Sequence, residues 1–525
     1  MEPAADAISQ PATPELAIPS AARWPVFPLI LTALYLIPAA ILMHNHAMWR
    51  DEAQAFLLAR DSNSLAELFR HLRYEGHPGL WHVVLWFITR ITVRPETMQI
   101  LHLALAAGTV YLVARYAPFT WLEKILFPFG YFTLFEYAAI SRNYQISLFL
   151  IIAFCALRRQ RPSAFLGQGI LLGLLCNTNI FGTILAGALG VMVLVEAAVA
   201  RQGRRNVAQH PWRFIGGILL AGAAAFWCVH WLIPPPDADF AKEWTNDLIP
   251  DHVLHTWTAL WRAYLPIPEP GLGFWNSNFE SVTLTQAYWG RIFCGIVLAA
   301  VGWHYRGAIV FIIGTAGILT FLHIKYFGGM RHQGFLFVTA IACFWLAWAT
   351  RPALRPGWWR RIPRVLSHTV LTVLLAVQIW GGWVAAQQAW IHPFSMGHAA
   401  ANYLRGELRP GEVLVIDPDY IAAPVAVYLP GHRVYFTRGA RWGSFTIWDN
   451  QGTPEDAVAS AKRLAAEMQA SVMLVLNHPI KPHSPEIVAL PSFTCPSFLG
   501  ENYFLYRVAP PPATQSAPAS PATRP

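Results

Sequence analysis

The stretch Trp49-Arg50-Asp51-Glu52-Ala53-Gln54 carries the densest group of ionisable side chains in an otherwise apolar first third of the chain. Apolar segments flank it on both sides. A carboxylate at a membrane–water boundary can take a proton from an acceptor hydroxyl as a general base, or it can bind a divalent cation. It can also do neither, because acidic residues in the first turn of a helix favour the helix dipole. Asp51 and Glu52 are therefore candidate catalytic residues or the start of an amphipathic helix. Asp51 is also the candidate metal ligand if a divalent ion is used. Tyr74-Glu75-Gly76-His77-Pro78 closes the same loop. There His77 can contact a phosphate, a sugar or a metal, or simply open a helix with Pro at its first turn.

Two more polar groups stand at the ends of apolar segments. Glu136 lies close to Ser141-Arg142-Asn143-Tyr144, where an unpaired charge in hydrocarbon is costly. Glu136 and Arg142 either pair with each other or serve a site with Tyr144. Lys325-Tyr326-Phe327-Gly328-Gly329-Met330-Arg331-His332 is a short loop whose cations can meet a phosphate or snorkel at the interface. Its two glycines suit a tight turn. Between residues 234 and 286, Asp237, Asp239, Lys242 and Glu243 read as a solvated loop. Trp261-Arg262-Ala263-Tyr264 and Phe274-Trp275 read as interfacial anchors in preference to sugar-stacking platforms. No P-loop, nucleophile elbow or Gly-rich nucleotide fingerprint is present. Five of the six cysteines fall in apolar segments and Cys495 in the polar C-terminal region, with no CxxC pair, so neither a zinc cluster nor a disulfide framework is supported.

The elements that must position these residues are membrane helices. Charged residues make up 13% of the 525 and hydrophobic ones 55%, where a soluble protein carries roughly a quarter charged. The net charge of +9 sits in short clusters, Arg158–Arg161, Arg201–Arg205 and Arg351–Arg364. That pattern suits cytoplasmic loops and not a nucleic-acid face. Twelve apolar segments appear, near 25–43, 79–92, 97–114, 120–139, 142–157, 163–176, 180–198, 213–233, 288–303, 307–325, 333–350 and 366–388. With the N-terminus inside, twelve crossings put two basic clusters outside, against the positive-inside rule. Eleven or thirteen crossings repair this, with the misread segment between 79 and 157. Within the first outer loop, 44–78, the runs Glu52–Leu58 and Leu65–Leu72 have the spacing of helices lying flat on the membrane.

The domains follow. Residues 1–24 form a disordered cytoplasmic N-terminus and 25–394 a membrane domain. Residues 395–508 form an outer α/β domain, with buried strands at Val413–Ile416 and Val472–Leu476, a helix at Ala457–Met468 and a last strand at Tyr503–Val508. Residues 509–525 are a disordered tail.

Trp49-Arg50-Asp51-Glu52-Ala53 after the first span, then Gly76-His77-Pro78-Gly79-Leu80-Trp81, resembles the membrane-embedded GT-C glycosyltransferases. The resemblance is to bacterial relatives of the protein mannosyltransferases and aminoarabinose-lipid A transferases. Ser141–Tyr144 and Tyr326–His332 fit later family positions more loosely, and the resemblance covers roughly residues 25–395. It implies a sugar donor carried on a polyprenyl phosphate and transfer with inversion on the periplasmic face of a bacterial inner membrane. It also implies Asp51 as the base, with Arg331 and Lys325 beside the departing phosphate and Glu136 and Arg142 shaping the pocket. His77 replaces the Lys that relatives often show. The family leaves a divalent metal open, and the acceptor is a glycan, lipid or protein. A flippase for a lipid-linked saccharide would show inverted repeats, which are absent here. A polysaccharide polymerase or ligase would rely on Arg and His in a large late loop. A membrane scaffold would leave the acidic loop incidental.

Overall fold

The computed structural model describes residues 26–239, 250–348, 362–449, 453–481, 484–494 and 501–511. The expectations for residues 1–24, Lys242, Glu243, Arg351–Arg361, Cys495 and the tail beyond 511 lie outside them.

Every apolar segment read from the sequence is helical. After α1 (Phe27–Asn45) the first loop folds as α2 (Arg50–Asp61) and α3 (Leu65–Leu72), and α4 (Leu80–Thr89) and α5 (Glu96–Tyr116) follow. A short α6 (Trp121–Leu126) runs into a wide π-helical turn, Tyr131–Ala139, whose residues are all buried. Then come α7 (Asn143–Gln160), α8 (Phe165–Cys176), α9 (Ile180–Val199), α10 (Arg201–Gln209) and α11 (Pro211–Leu232). The helical part ends with α12 (Pro250–Tyr264), α13 (Thr283–Val301), α14 (Tyr305–Ile324), α15 (Met330–Trp348) and α16 (Ile362–Ile391). Among the described residues seven helices, α1, α5, α9, α11, α13, α14 and α16, are long and apolar enough to cross a membrane. The central helix α15 is buried along nearly its whole length. Gly334 in its second turn is required by close packing, since a Cβ there would strike the Phe132 ring and the Tyr137 hydroxyl.

The C-terminal region is an α/β domain. After α17 (Gly397–Glu407) come β1 (Val413–Asp417), α18 (Ala423–Ala426), β2 (Val434–Phe436), β3 (Arg441–Gly443), α19 (Ala457–Met468), β4 (Val472–Leu476), β5 (Ile487–Phe493) and β6 (Tyr503–Val508). The sheet order is β3-β2-β1-β4-β6-β5, and β1 pairs in parallel with both β2 and β4. β1 and β4 are nearly continuous apolar runs because both faces of the sheet are covered.

This domain shares a core with the first loop. Ala53, Phe56 and Leu57 of α2 and Trp81 of α4 belong to one buried cluster with Ala422, Val425, Leu414 and Ile416. Helix α2 is buried from Glu52 to Ala59, so it is enclosed by protein and does not lie flat on a membrane surface as its spacing suggested. The shared core also fixes a parity. α1 places α2 on its far side, and the domain packs on α2, so the crossings between them are even in number and the total is odd. The ten residues of α4 rise about 15 Å, half of a hydrocarbon core of about 30 Å. Setting α4 aside leaves eleven of the twelve apolar segments. The twelve-residue α8 is nearly as short, but dropping both would break the parity.

Candidate active site

Trp49 precedes α2 in an extended conformation, and Glu52 reaches back to accept its backbone N–H at 3.3 Å. The carboxylate of Glu52 is fully buried. Its other contacts are the His46 ring at 2.6 Å and the backbone N–H of Ser141. Glu52 thus ties the start of α2 to the residue before Arg142, and it lines neither of the two cavities described next.

Asp51 points the other way, about 28% exposed, to the place where two cavities meet. Its Oδ2 lies 3.3 Å from Arg142 Nη1 and 3.6 Å from Arg331 Nη2, and Oδ1 lies 3.9 Å from Arg50 Nε. The pairs with Arg142 and Arg331 reach across from other segments, and the pair with Arg50 lies within α2. Burial alone would raise the Asp51 carboxyl, but the guanidiniums of Arg142, Arg331 and Arg50 outweigh it and hold it below the ordinary value.

Arg331 is set from several sides. Its guanidinium lies 5.3 Å from the Trp49 ring and 5.2 Å from the Trp275 ring, and Tyr137 Oη donates to its backbone carbonyl at 2.7 Å. Behind it Trp275 Nε1 donates to Glu136 Oε2 at 3.1 Å, and Tyr131 Oη donates to the same oxygen at 2.9 Å. Glu136 therefore does not pair with Arg142 and lines neither cavity. Arg142 is drawn instead to Asp51, which the sequence could not place beside it. Phe274, Trp275, Trp261 and Tyr264 are buried, so they are packing residues of the site's support and not interfacial anchors.

Gly328, at φ 69°, makes the left-handed turn that leads into α15. The next N–H, that of Gly329, donates to His332 Nδ1 at 2.9 Å, which leaves Nε2 as the protonated nitrogen facing Tyr144 Oη at 2.9 Å. Tyr144 Oη then accepts from His332 and keeps its own proton to donate.

The larger cavity encloses about 290 Å3. Asp51, His77, Arg142, Tyr144, Lys325, Arg331 and His332 line it together with Ile180, Phe181 and Phe321, so its walls are part charged and part apolar. The smaller cavity encloses about 200 Å3. It shares Asp51, Glu75, His77 and Arg142 and is completed by Arg50, Gln54 and residues of the C-terminal domain. His77 Nε2 lies 3.4 Å from Arg142 Nη2, and burial first, then that guanidinium, pushes the imidazole down to about 3, so it stays neutral.

Glu75, Gln54 and Arg50 stand in the quoted sequence stretches but received no role there. Burial pushes the Glu75 carboxyl up to about 7, although Gln54 Nε2 donates to it at 2.8 Å. Gln54 in turn pairs through both ends of its amide with the backbone of Thr446, at 2.6 and 3.1 Å. Among the described residues no three His, Cys, Asp or Glu side chains are grouped to hold a metal ion. Asp51 already faces two guanidiniums, which would repel a divalent cation. The residues present do not fit a divalent metal ion.

The fold and site define a polytopic helical membrane protein whose α/β domain closes over a carboxylate held by guanidiniums. Solved structures that match along most of the chain include two of ArnT from Cupriavidus metallidurans. One is bound to undecaprenyl phosphate and the other is in the apo state. They share 13% identity with this chain, at TM-scores of 0.49 and 0.47, over 91% of it and 97% of theirs. No family model matches the chain. No curated protein matches it either.

Proposed function

We propose that this chain is a membrane glycosyltransferase of the GT-C type that moves a sugar from a polyprenyl-phosphate donor to an acceptor hydroxyl, with inversion at the anomeric carbon. The reaction takes place on the periplasmic face of a bacterial inner membrane. The observation that carries this reading is the position of Asp51, at the meeting of an amphipathic cavity and a polar one, beside Arg142 and Arg331. A lipid-linked phosphate needs cations at its head and an apolar wall beyond, and the larger cavity offers both.

In the transfer, the acceptor oxygen forms a bond to the anomeric carbon while the bond from that carbon to the phosphate oxygen breaks. The leaving electron pair goes to the phosphate, where Arg331 and Arg142, with Lys325 nearby, stabilise the growing charge. The acceptor proton goes to Asp51. In the resting site the same guanidiniums weaken Asp51 as a base. A donor phosphate shares them, and the proton affinity of Asp51 rises when a base is needed. Tyr144 donates to the donor's oxygens, neutral His77 contacts the substrate as a hydrogen-bonding group, and His332 sets the Tyr144 hydroxyl. Glu52 and Glu136 act as positioning residues, through Arg142 and Arg331 respectively.

Asp51→Asn tests the base. Transfer from a labelled polyprenyl-phosphate sugar pool should fall roughly a hundredfold or more in a variant that still inserts and folds. Wild-type transfer by that variant would reduce Asp51 to a first-turn helix residue and move the flippase and scaffold readings ahead.

A further inference from the structure

We infer that the smaller cavity is the acceptor subsite, that it takes a sugar ring of a saccharide acceptor, and that the C-terminal domain builds its outer wall. This rests on the transferase reading above and adds the class of acceptor to it.

The topology of the domain points first. β1 lies between β2 and β4, parallel to both, and the chain leaves β1 toward β2 before returning to β4 beyond it. The crevice at the carboxyl ends of β1 and β4 is where open α/β sheets take their ligands. Here Tyr420 follows β1, and Asn477, just after β4, donates to its hydroxyl at 3.2 Å. Tyr420 is also a wall of the smaller cavity, and the Arg50 guanidinium lies 5.1 Å from its ring centroid. The domain's ligand crevice therefore opens onto the residue next to Asp51.

The strand-end geometry is held from the domain side. Gln54 is pinned to the Thr446 backbone, Glu501 accepts from the Arg50 N–H at 3.0 Å, and the Asp239 N–H donates to the Trp448 carbonyl at 3.0 Å. Trp448 thus hangs from a segment fixed at both sides and is one of the residues of the cavity wall.

The chemistry of the walls selects the ligand. Ala423 is the one small aliphatic residue among the lining side chains; the others are Tyr420, Trp448 and groups that donate or accept hydrogen bonds. A sugar ring has an apolar face to lay on an aromatic ring and a hydroxyl edge for Gln54, Glu75 and Arg50. An acyl chain would find no apolar wall of the kind Ile180, Phe181 and Phe321 give the larger cavity. At about 200 Å3 the space is below the roughly 300 Å3 at which pockets for drug-sized ligands begin, so it admits one ring and not a folded segment of peptide.

The test uses membranes carrying the full-length chain and a radiolabelled polyprenyl-phosphate sugar pool, with the envelope then separated into saccharide, protein and lipid fractions. Label should appear in saccharide, whether free or lipid-borne. Trp448→Ala should lower that transfer about tenfold, and Trp448→Phe, which keeps a stacking face, should restore most of it. Binding of undecaprenyl phosphate by the purified variants should match wild type. If Trp448→Ala does not fold, Tyr420→Leu carries the same expectation. Label in protein or in lipid without saccharide, or full transfer by both variants, overturns the acceptor assignment and leaves the transferase reading standing. No transfer to any fraction by the wild type overturns both.

Discussion

Arg331 lies against two mutually packed indoles and pairs with Asp51, so both its charge and its flat shape matter. Arg331→Lys keeps the charge and loses the stack. Transfer by that variant should fall about tenfold or more in steady-state assays, because the ammonium has no plane to lay against the rings. Glu75 gives a prediction of the opposite sign. Its folded carboxyl sits near 7 against an ordinary 4.5, so the fold disfavours its ionised form. Stability on this account falls as pH rises from about 4.5 to 7. Glu75→Gln should therefore melt above wild type at pH 8, with the gap closing toward pH 5. Asp51, Arg142 and Arg331 could be noticed in the sequence because charge is costly beside apolar segments. Glu75 and Gln54 could not be separated from ordinary loop residues, although Glu75 stands two positions before His77. Tyr420 and Trp448 were harder still, since an aromatic residue in a soluble α/β domain is unremarkable until its neighbour is known.

At the scale of elements, Glu52 is the knot between α2 and the turn before α7. Glu52→Gln would leave His46 without its carboxylate partner in a buried place and should lower stability by about 3 kcal/mol, read as a lower melting temperature or denaturant midpoint. Donor-binding affinity of the folded fraction should change much less than stability does, since Glu52 lines neither cavity. The apolar helices were legible, because each is an apolar run with its own ends, but α10, α17 and α12, the last in the stretch read as a loop, were not. The strands β1, β4 and β6 and the helix α19 were legible for the same reason. β2 and β3, at three residues each, carry no alternation to read, and β5 is largely exposed. The periodicity of α2 was legible but its setting was not. An amphipathic pattern names the face that will be covered and is silent on whether lipid or protein covers it.

At the scale of the whole molecule, an odd number of crossings is what the charge pattern predicts, and the packing of the last domain on the first loop agrees with it. The two arguments are independent, since one counts arginines and the other asks which elements touch. The joining of the first loop to the last domain was not legible, because no local pattern records which distant surface a buried helix meets. That joining has a consequence in time. Part of the cover of Ala53, Phe56 and Leu57 comes early, from Trp81 and Leu85 of α4, but the rest lies beyond residue 400, so a chain emerging during synthesis has the acidic loop in place long before its outer cover. Asp51 and its guanidiniums on Arg50, Arg142 and Arg331 all precede that segment, and the outer wall of Tyr420, Thr446 and Trp448 joins them only after the last third has been translated and delivered to the same side. An incomplete product is thus a chain with exposed apolar surface and a centre that lacks its outer wall, open to proteolysis.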